Sequence, residues 1–131
     1  MKKDTDKKKN KPVQVTVGET AIKATFHNED AILETFLKQV GGKWKIRIIW
    51  ALRDGESQRY GSLKKEIARI TDMMLSQSLK ELVAHGIVER HQYQEIPPRV
   101  EYQITAKGKA LLPVFESGIA WVSSYTEKKK K

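Results

Sequence analysis

The stretch TDMMLSQSLKELVAHG, residues Thr71 to Gly86, decides how the rest of the chain is read. At about 100° per residue, Leu75, Leu79, Leu82 and Val83 fall on one stripe, and Met73, Ser76, Gln77 and Lys80 lie roughly opposite. Thr71 suits an N-cap, because its hydroxyl can accept from an orphan amide of the first turn. Gly86 suits a left-handed stop. The outer face would carry a thioether, a hydroxyl, an amide and an ammonium, groups able to meet base edges and phosphates. Most amphipathic helices are polar outside only because that side is wet, so the flanking sequence must decide.

Upstream, Asn28 followed by Glu29 and Asp30 reads as a cap with acids in the first turn. A helix over about 29–40 follows, with Ile32, Leu33, Phe36, Leu37 and Val40 apolar, and Gly41-Gly42 ends it. Five large apolar positions in three turns exceed what one small core needs and point to a subunit interface. A second helix over about 43–53 carries apolar residues nearly all round and should be the central buried helix, closed by Asp54-Gly55. Arg59-Tyr60 could supply a short strand. A third helix over about 61–68 turns inward Leu63 and Ile67, and a short connection leads to Thr71, making a helix-turn-helix pattern.

Downstream the period changes from 3.6 to 2. Residues 87–105, IVERHQYQEIPPRVEYQIT, alternate on both sides of Ile96-Pro97-Pro98, which predicts a hairpin with the prolines at its tip. Thr105 should cap a last helix, about 106–124, kinked at Pro113. Near the N-terminus, Val13, Val15 and Val17 alternate with polar partners before a turn at Gly18-Glu19, predicting an extended arm over 13–25. So short an element must pack on the body or on a partner chain.

The 131 residues suffice for one compact domain, placed at 26–126. The net charge of +9 lies mostly in the ends: +4 in residues 1–11 and +3 in 127–131, leaving +2 for the remainder. Residues 1–12 and 127–131 therefore read as disordered basic tails, able to add sequence-independent attraction to phosphates. No apolar run approaches the ~20 residues that span a bilayer, and no apolar segment follows the lysine-rich start as in a secretory signal. A cytoplasmic protein without a membrane partner is expected. The chain has no cysteine, so disulfides, thiolate zinc sites and thiol switches are excluded. His27, His85 and His91 are scattered, so neither a metal site nor a cofactor is expected, and no nucleophile-base constellation argues for an enzyme.

The order of elements is that of a winged helix-turn-helix, a mainly α fold of the α+β type. The segments GGKWKIRIIWAL (41–52), RYGSLKKEI (59–67), ITDMMLSQSLKELVAHGIVER (70–90) and PPRVEYQITAKGKAL (97–111), closed by Trp121, resemble the HxlR-type transcriptional regulators, MarR-like proteins, over about residues 30–125. The resemblance implies a bacterial homodimer that binds double-stranded DNA, with extra N- and C-terminal dimerisation helices. It places Ile32, Leu33, Phe36, Leu37, Val114, Phe115, Trp121 and Val122 at the dimer interface. Many members carry a cysteine near the start of the first helix. That position falls at about Asp30 or Ala31, so thiol sensing cannot operate here.

The candidate DNA-binding residues are Met73, Ser76, Gln77 and Lys80 on the recognition helix, with its cap Thr71. Glutamine can bond adenine through two hydrogen bonds, methionine can touch a thymine methyl, and lysine can reach guanine or a phosphate. Lys43 and Ser62, at the starts of the second and third helices, are phosphate candidates. Arg99, just after the proline tip, could enter a minor groove. The expected function is a sequence-specific regulator acting on an inverted-repeat operator. The alternatives are a winged-helix protein-interaction module, or a small-ligand-responsive sensor with weak DNA binding and a pocket lined by aromatics such as Phe36, Phe115 and Trp121.

Overall fold

The computed structural model describes residues 12–18 and 29–126. The two basic tails apart from Pro12, the second half of the arm and the Asn28 cap lie outside the described residues.

In chain order the elements are β1 (Gln14–Thr16), α1 (Glu29–Val40), α2 (Lys45–Ala51), β2 (Gln58–Arg59), α3 (Tyr60–Glu66), α4 (Asp72–Ala84), β3 (Val88–Tyr93), β4 (Arg99–Ile104), α5 (Ala106–Lys109) and α6 (Leu112–Thr126). The strands form one antiparallel sheet in the order β1-β3-β4-β2. The hairpin pairs Val88 with Ile104 at its base and Tyr93 with Arg99 near its tip, so Ile96-Pro97-Pro98 lies in the loop, where a missing N–H costs no ladder bond. The Ile96–Pro97 peptide is cis.

The core sits where α2, α3 and α4 meet the base of the hairpin. Ile48, Ile49, Leu52, Leu63, Leu75, Leu82, Ile87 and Val88 are fully buried there. Burying each such side chain contributes roughly 1.5–3 kcal/mol. This is the winged helix-turn-helix that the order of elements predicts.

Two elements differ from expectation, and a third settles an open choice. The helix expected over 106–124 is two, α5 and α6, and Pro113 occupies the first turn of α6 rather than a kink. Proline lacks a donor and clashes with the preceding turn, so it is tolerated where the N–H is orphaned anyway. The second helix starts at Lys45 and ends at Ala51, and Ile46 on it remains 38% exposed, so it is not buried all round. The arm resolves the choice between body and partner in favour of the body: β1 pairs with β3 (Gln14 opposite Gln92, Thr16 opposite Arg90), and Gly18 N donates to Val83 O at 2.8 Å.

Candidate nucleic-acid interface

Helix α4 presents the candidate surface, and both of its ends are built as its sequence suggests. Thr71 Oγ1 accepts from Met74 N at 3.1 Å. At the other end Gly86 has φ 76°, Ile87 N donates to Leu82 O at 2.9 Å and Gly86 N donates to Val83 O at 3.0 Å. These nested bonds form a Schellman stop, for which a residue without Cβ is favoured. Lys107 Nζ donates to His85 O at 2.8 Å, placing a cation at the negative end of the helix dipole. Thr105 Oγ1 donates to Gly86 O at 2.7 Å and accepts from Gly108 N, so one hydroxyl ties the end of α4 to the start of α5.

Met73, Ser76, Gln77 and Lys80 all lie exposed, and Met73 is 73% exposed. A large apolar side chain so open to water costs hydration free energy unless something covers it. The Ser76 hydroxyl is already engaged, since Tyr60 Oη lies 3.2 Å from Ser76 Oγ and donates to Asp72 Oδ1 at 3.0 Å. Lys64 Nζ adds an ion pair to the same Asp72 oxygen at 3.5 Å. Asp72 is thus a first-turn anchor between α3 and α4. Gln77 Nε2 donates to Glu81 Oε2 at 2.6 Å, leaving its carbonyl oxygen and one N–H for a partner.

Among the remaining sequence candidates, Lys43 is exposed two residues before α2, its ammonium 4.9 Å from the centroid of the Trp44 ring. Ser62 is exposed in the first turn of α3. Arg99, just after the proline tip, has its charge already engaged. It is half-buried, paired with Glu95 at 2.9 Å and Glu101 at 3.4 Å, and its guanidinium lies 3.9 Å from the Tyr93 ring centroid. Burial, reinforced by the Glu101 carboxylate, holds the Tyr93 hydroxyl above its ordinary value. The acids at positions 95 and 101 could have warned of this compensation.

Two residues escaped the sequence reading. Arg90 on β3 lines, with Thr16, Tyr60, Ser76, Lys80 and Tyr102, a cleft of about 220 Å³ between α4 and the sheet. Two cations and several hydroxyls facing one small cleft suit a phosphate. Lys45 is 9% exposed and pairs with Glu81 at 2.6 Å. Its place within an apolar helix gives no local signal of such a partner.

The expected interface residues divide. Ile32, Leu33, Leu37, Val114, Trp121 and Val122 are 48–66% exposed, and Ile119 and Tyr125 join them on α6. Phe36 is half-buried against the core. Phe115 is the one buried residue of α6; it belongs to the core and pins that helix to the body. Between α1, α2 and α6 an open groove of about 840 Å³ is lined by Phe36, Ile46, Trp50, Ile67, Val114 and Ile119, with Arg47 and Glu66 as its charged lining residues.

A capped helix with an exposed polar face, a preceding helix packed across its start and a hairpin beside it define a DNA-binding winged helix-turn-helix. The HxlR-like helix-turn-helix family model matches residues 39–130, and the chain belongs to that family. An HTH-type transcriptional regulator of Halalkalibacterium halodurans is 45% identical over 85 residues, covering 65% of this chain and 75% of the relative. One from Methanothermobacter thermautotrophicus is 38% identical over 93 residues, covering 71% and 70%. The crystal structure of the HTH-type regulator YtcD superposes with a TM-score of 0.70 at 35% identity, covering 73% of this chain and 97% of that one. The chain is therefore a transcriptional regulator with a helix-turn-helix DNA-binding domain. The oxidised form of the redox regulator HypR is also similar, with a TM-score of 0.65 at 36% identity over 71% of this chain and 95% of that one. Cysteine chemistry has no residue to act on in the present sequence. No described helix is long and apolar enough to cross a membrane.

Proposed function

We propose that the protein is a cytoplasmic homodimer that binds an inverted-repeat operator through α4, with residues 26–126 as the DNA-binding and dimerising unit and the basic ends as auxiliary phosphate contacts. The observation that carries this reading is the pairing of two uncovered surfaces on one chain. One is the exposed face of α4, with Met73, Gln77 and Lys80. The other is the apolar side of α1 and α6, where fourteen of the fifteen α6 residues are not buried. A helix as apolar as α6 is stable in water when a second surface covers it. A second copy offers the same surface, and a two-fold interface is self-complementary. Two copies of α4 would then enter successive major grooves about 34–36 Å apart. Lys80 and Arg90, on either side of the cleft between α4 and the wing, would hold the backbone while Gln77 and Met73 meet base edges.

Footprinting on the DNA upstream of the protein's own gene tests this. Two protected half-sites about one helical turn apart are expected, and saturating protein that protects no dyad at moderate salt would refute it. The groove beside α6 favours a second reading, in which a small apolar ligand bound against Phe36 and Trp50 modulates the same DNA binding. Thermal shifts with small uncharged aromatic compounds in the presence and absence of DNA distinguish the two.

A further inference from the structure

A continuous polar chain runs through the otherwise apolar junction of α1, α2 and α4. Lys45, the first residue of α2, is buried, and its ammonium donates to the Lys38 carbonyl in the last turn of α1 at 3.1 Å. The same ammonium lies 2.6 Å from Glu81 Oε1. The other carboxylate oxygen of Glu81 accepts from Gln77 Nε2 at 2.6 Å. An ionised carboxylate only accepts, so it obliges Gln77 to turn its NH₂ toward Glu81 and its carbonyl oxygen away. A glutamine side chain on an exposed helix face is otherwise free to rotate, and an unfixed amide presents donor and acceptor in either order.

We propose that Lys45 is a positioning residue for base recognition: anchored on the last turn of α1, it fixes Glu81 and through it the orientation of the Gln77 amide, and so sets which base α4 prefers. The inference rests on the reading of Gln77 as a base contact. Lys45 itself is buried behind α4 and touches no DNA. Its effect is on preference among bases, not on attraction to the backbone, and it links the recognition face to α1, one of the two helices with an uncovered apolar side.

The test compares Gln77→Ala, Lys45→Met and the double variant on operator fragments carrying each base pair at every position of the half-site, and on random DNA. Gln77→Ala is expected to relax preference at one position. Lys45→Met is expected to relax the same position by about fivefold, the lower end of what a two-bond base contact provides, with random-DNA affinity and salt slope unchanged. The double variant should lose no more than Gln77→Ala alone. In the free protein, nitrogen-15 relaxation of the Gln77 side-chain amide should show an ordered group that becomes mobile in Lys45→Met. Should Lys45→Met fail to fold, Glu81→Gln cuts the same chain at its more exposed link; because it also removes a negative charge, it is read on base preference and on Gln77 side-chain relaxation alone. If Gln77→Ala relaxes a base and Lys45→Met does not, the positioning role is overturned while the reading of α4 stands. If Gln77→Ala relaxes no base, the reading of α4 falls and the positioning role with it.

Discussion

Gly108 lies so close to Ile87 that a Cβ added to it would stand 2.5 Å from the Ile87 carbonyl oxygen and 2.6 Å from Ile104 Cγ1. The first of these is backbone at the junction of α4 and β3, and neither strand nor helix can retreat without opening the core. Gly108→Ala is therefore expected to destabilise the fold by about 1–3 kcal/mol, read as a lower urea midpoint with unchanged slope. Gly61→Ala, where nothing lies within 4 Å of the new methyl, should be neutral or slightly stabilising. Equal losses at both positions would contradict the close approach.

Like charge placed on the uncovered apolar side should separate the proposed copies. Leu37 and Trp121 are 55% and 66% exposed in the single chain, so Leu37→Asp with Trp121→Asp leaves the buried core untouched. Sedimentation should show a monomer with the wild-type circular dichroism spectrum. Operator affinity should fall by about two orders of magnitude or more, because two half-sites are no longer bound together. An unchanged sedimentation coefficient would locate the interface elsewhere.

Lys80 is exposed on the face of α4 next to the cleft shared with Arg90. Lys80→Ala should weaken binding to operator and random DNA alike and reduce the slope of log affinity against log salt by about one per half-site. A loss confined to one operator base pair would instead make Lys80 a base reader.

The His85 imidazole is held below its ordinary value of 6.5, first by burial and then by the Lys45 and Lys107 ammonium groups. Among the described residues, its Nδ1 is buried without a hydrogen-bond partner. The unfolded chain thus takes up this proton more readily than the folded one, so the stability due to neutral His85 is complete above its unfolded value and drains away as pH falls through the depressed one. Between pH of about 8 and about 5.5 the wild-type Tm should fall further than that of His85→Gln. Identical falls would assign the proton uptake to other groups. Glu81, lowered chiefly by its bond from Lys45, works in the same direction at more acid pH.

The elements that the sequence announces are those fixed by short-range chemistry. The cap and stop of α4 sit where Thr71 and Gly86 place them, and the hairpin turns at its prolines because the period of two is broken there. What eluded the reading depends on contacts across the fold. Nothing near Lys45 in sequence indicates that Glu81, on another helix, would take its charge into the interior. Arg99 is engaged by Tyr93, which the hairpin register, not sequence proximity, brings directly opposite. Phe115 and Trp121 look alike along the sequence, and only the packing of α6 sends one inward and leaves the other in water. Pro113 shows the reverse case: its missing donor is a local fact, and it sits at the start of α6 rather than at a kink because the chain already breaks between Lys109 and Leu112.

The strand β1 has a mechanical consequence. It lies along the free edge of β3, while β2 closes the edge of β4 and Gly18 is bonded to the last turn of α4. A hairpin paired on both flanks and bonded to the helix beside it leaves few backbone groups free for local opening. Helix α4 and the hairpin are thus tied into one unit by backbone bonds. In the proposed homodimer, α1 and α6 would be the mounting that sets the distance between two such parts.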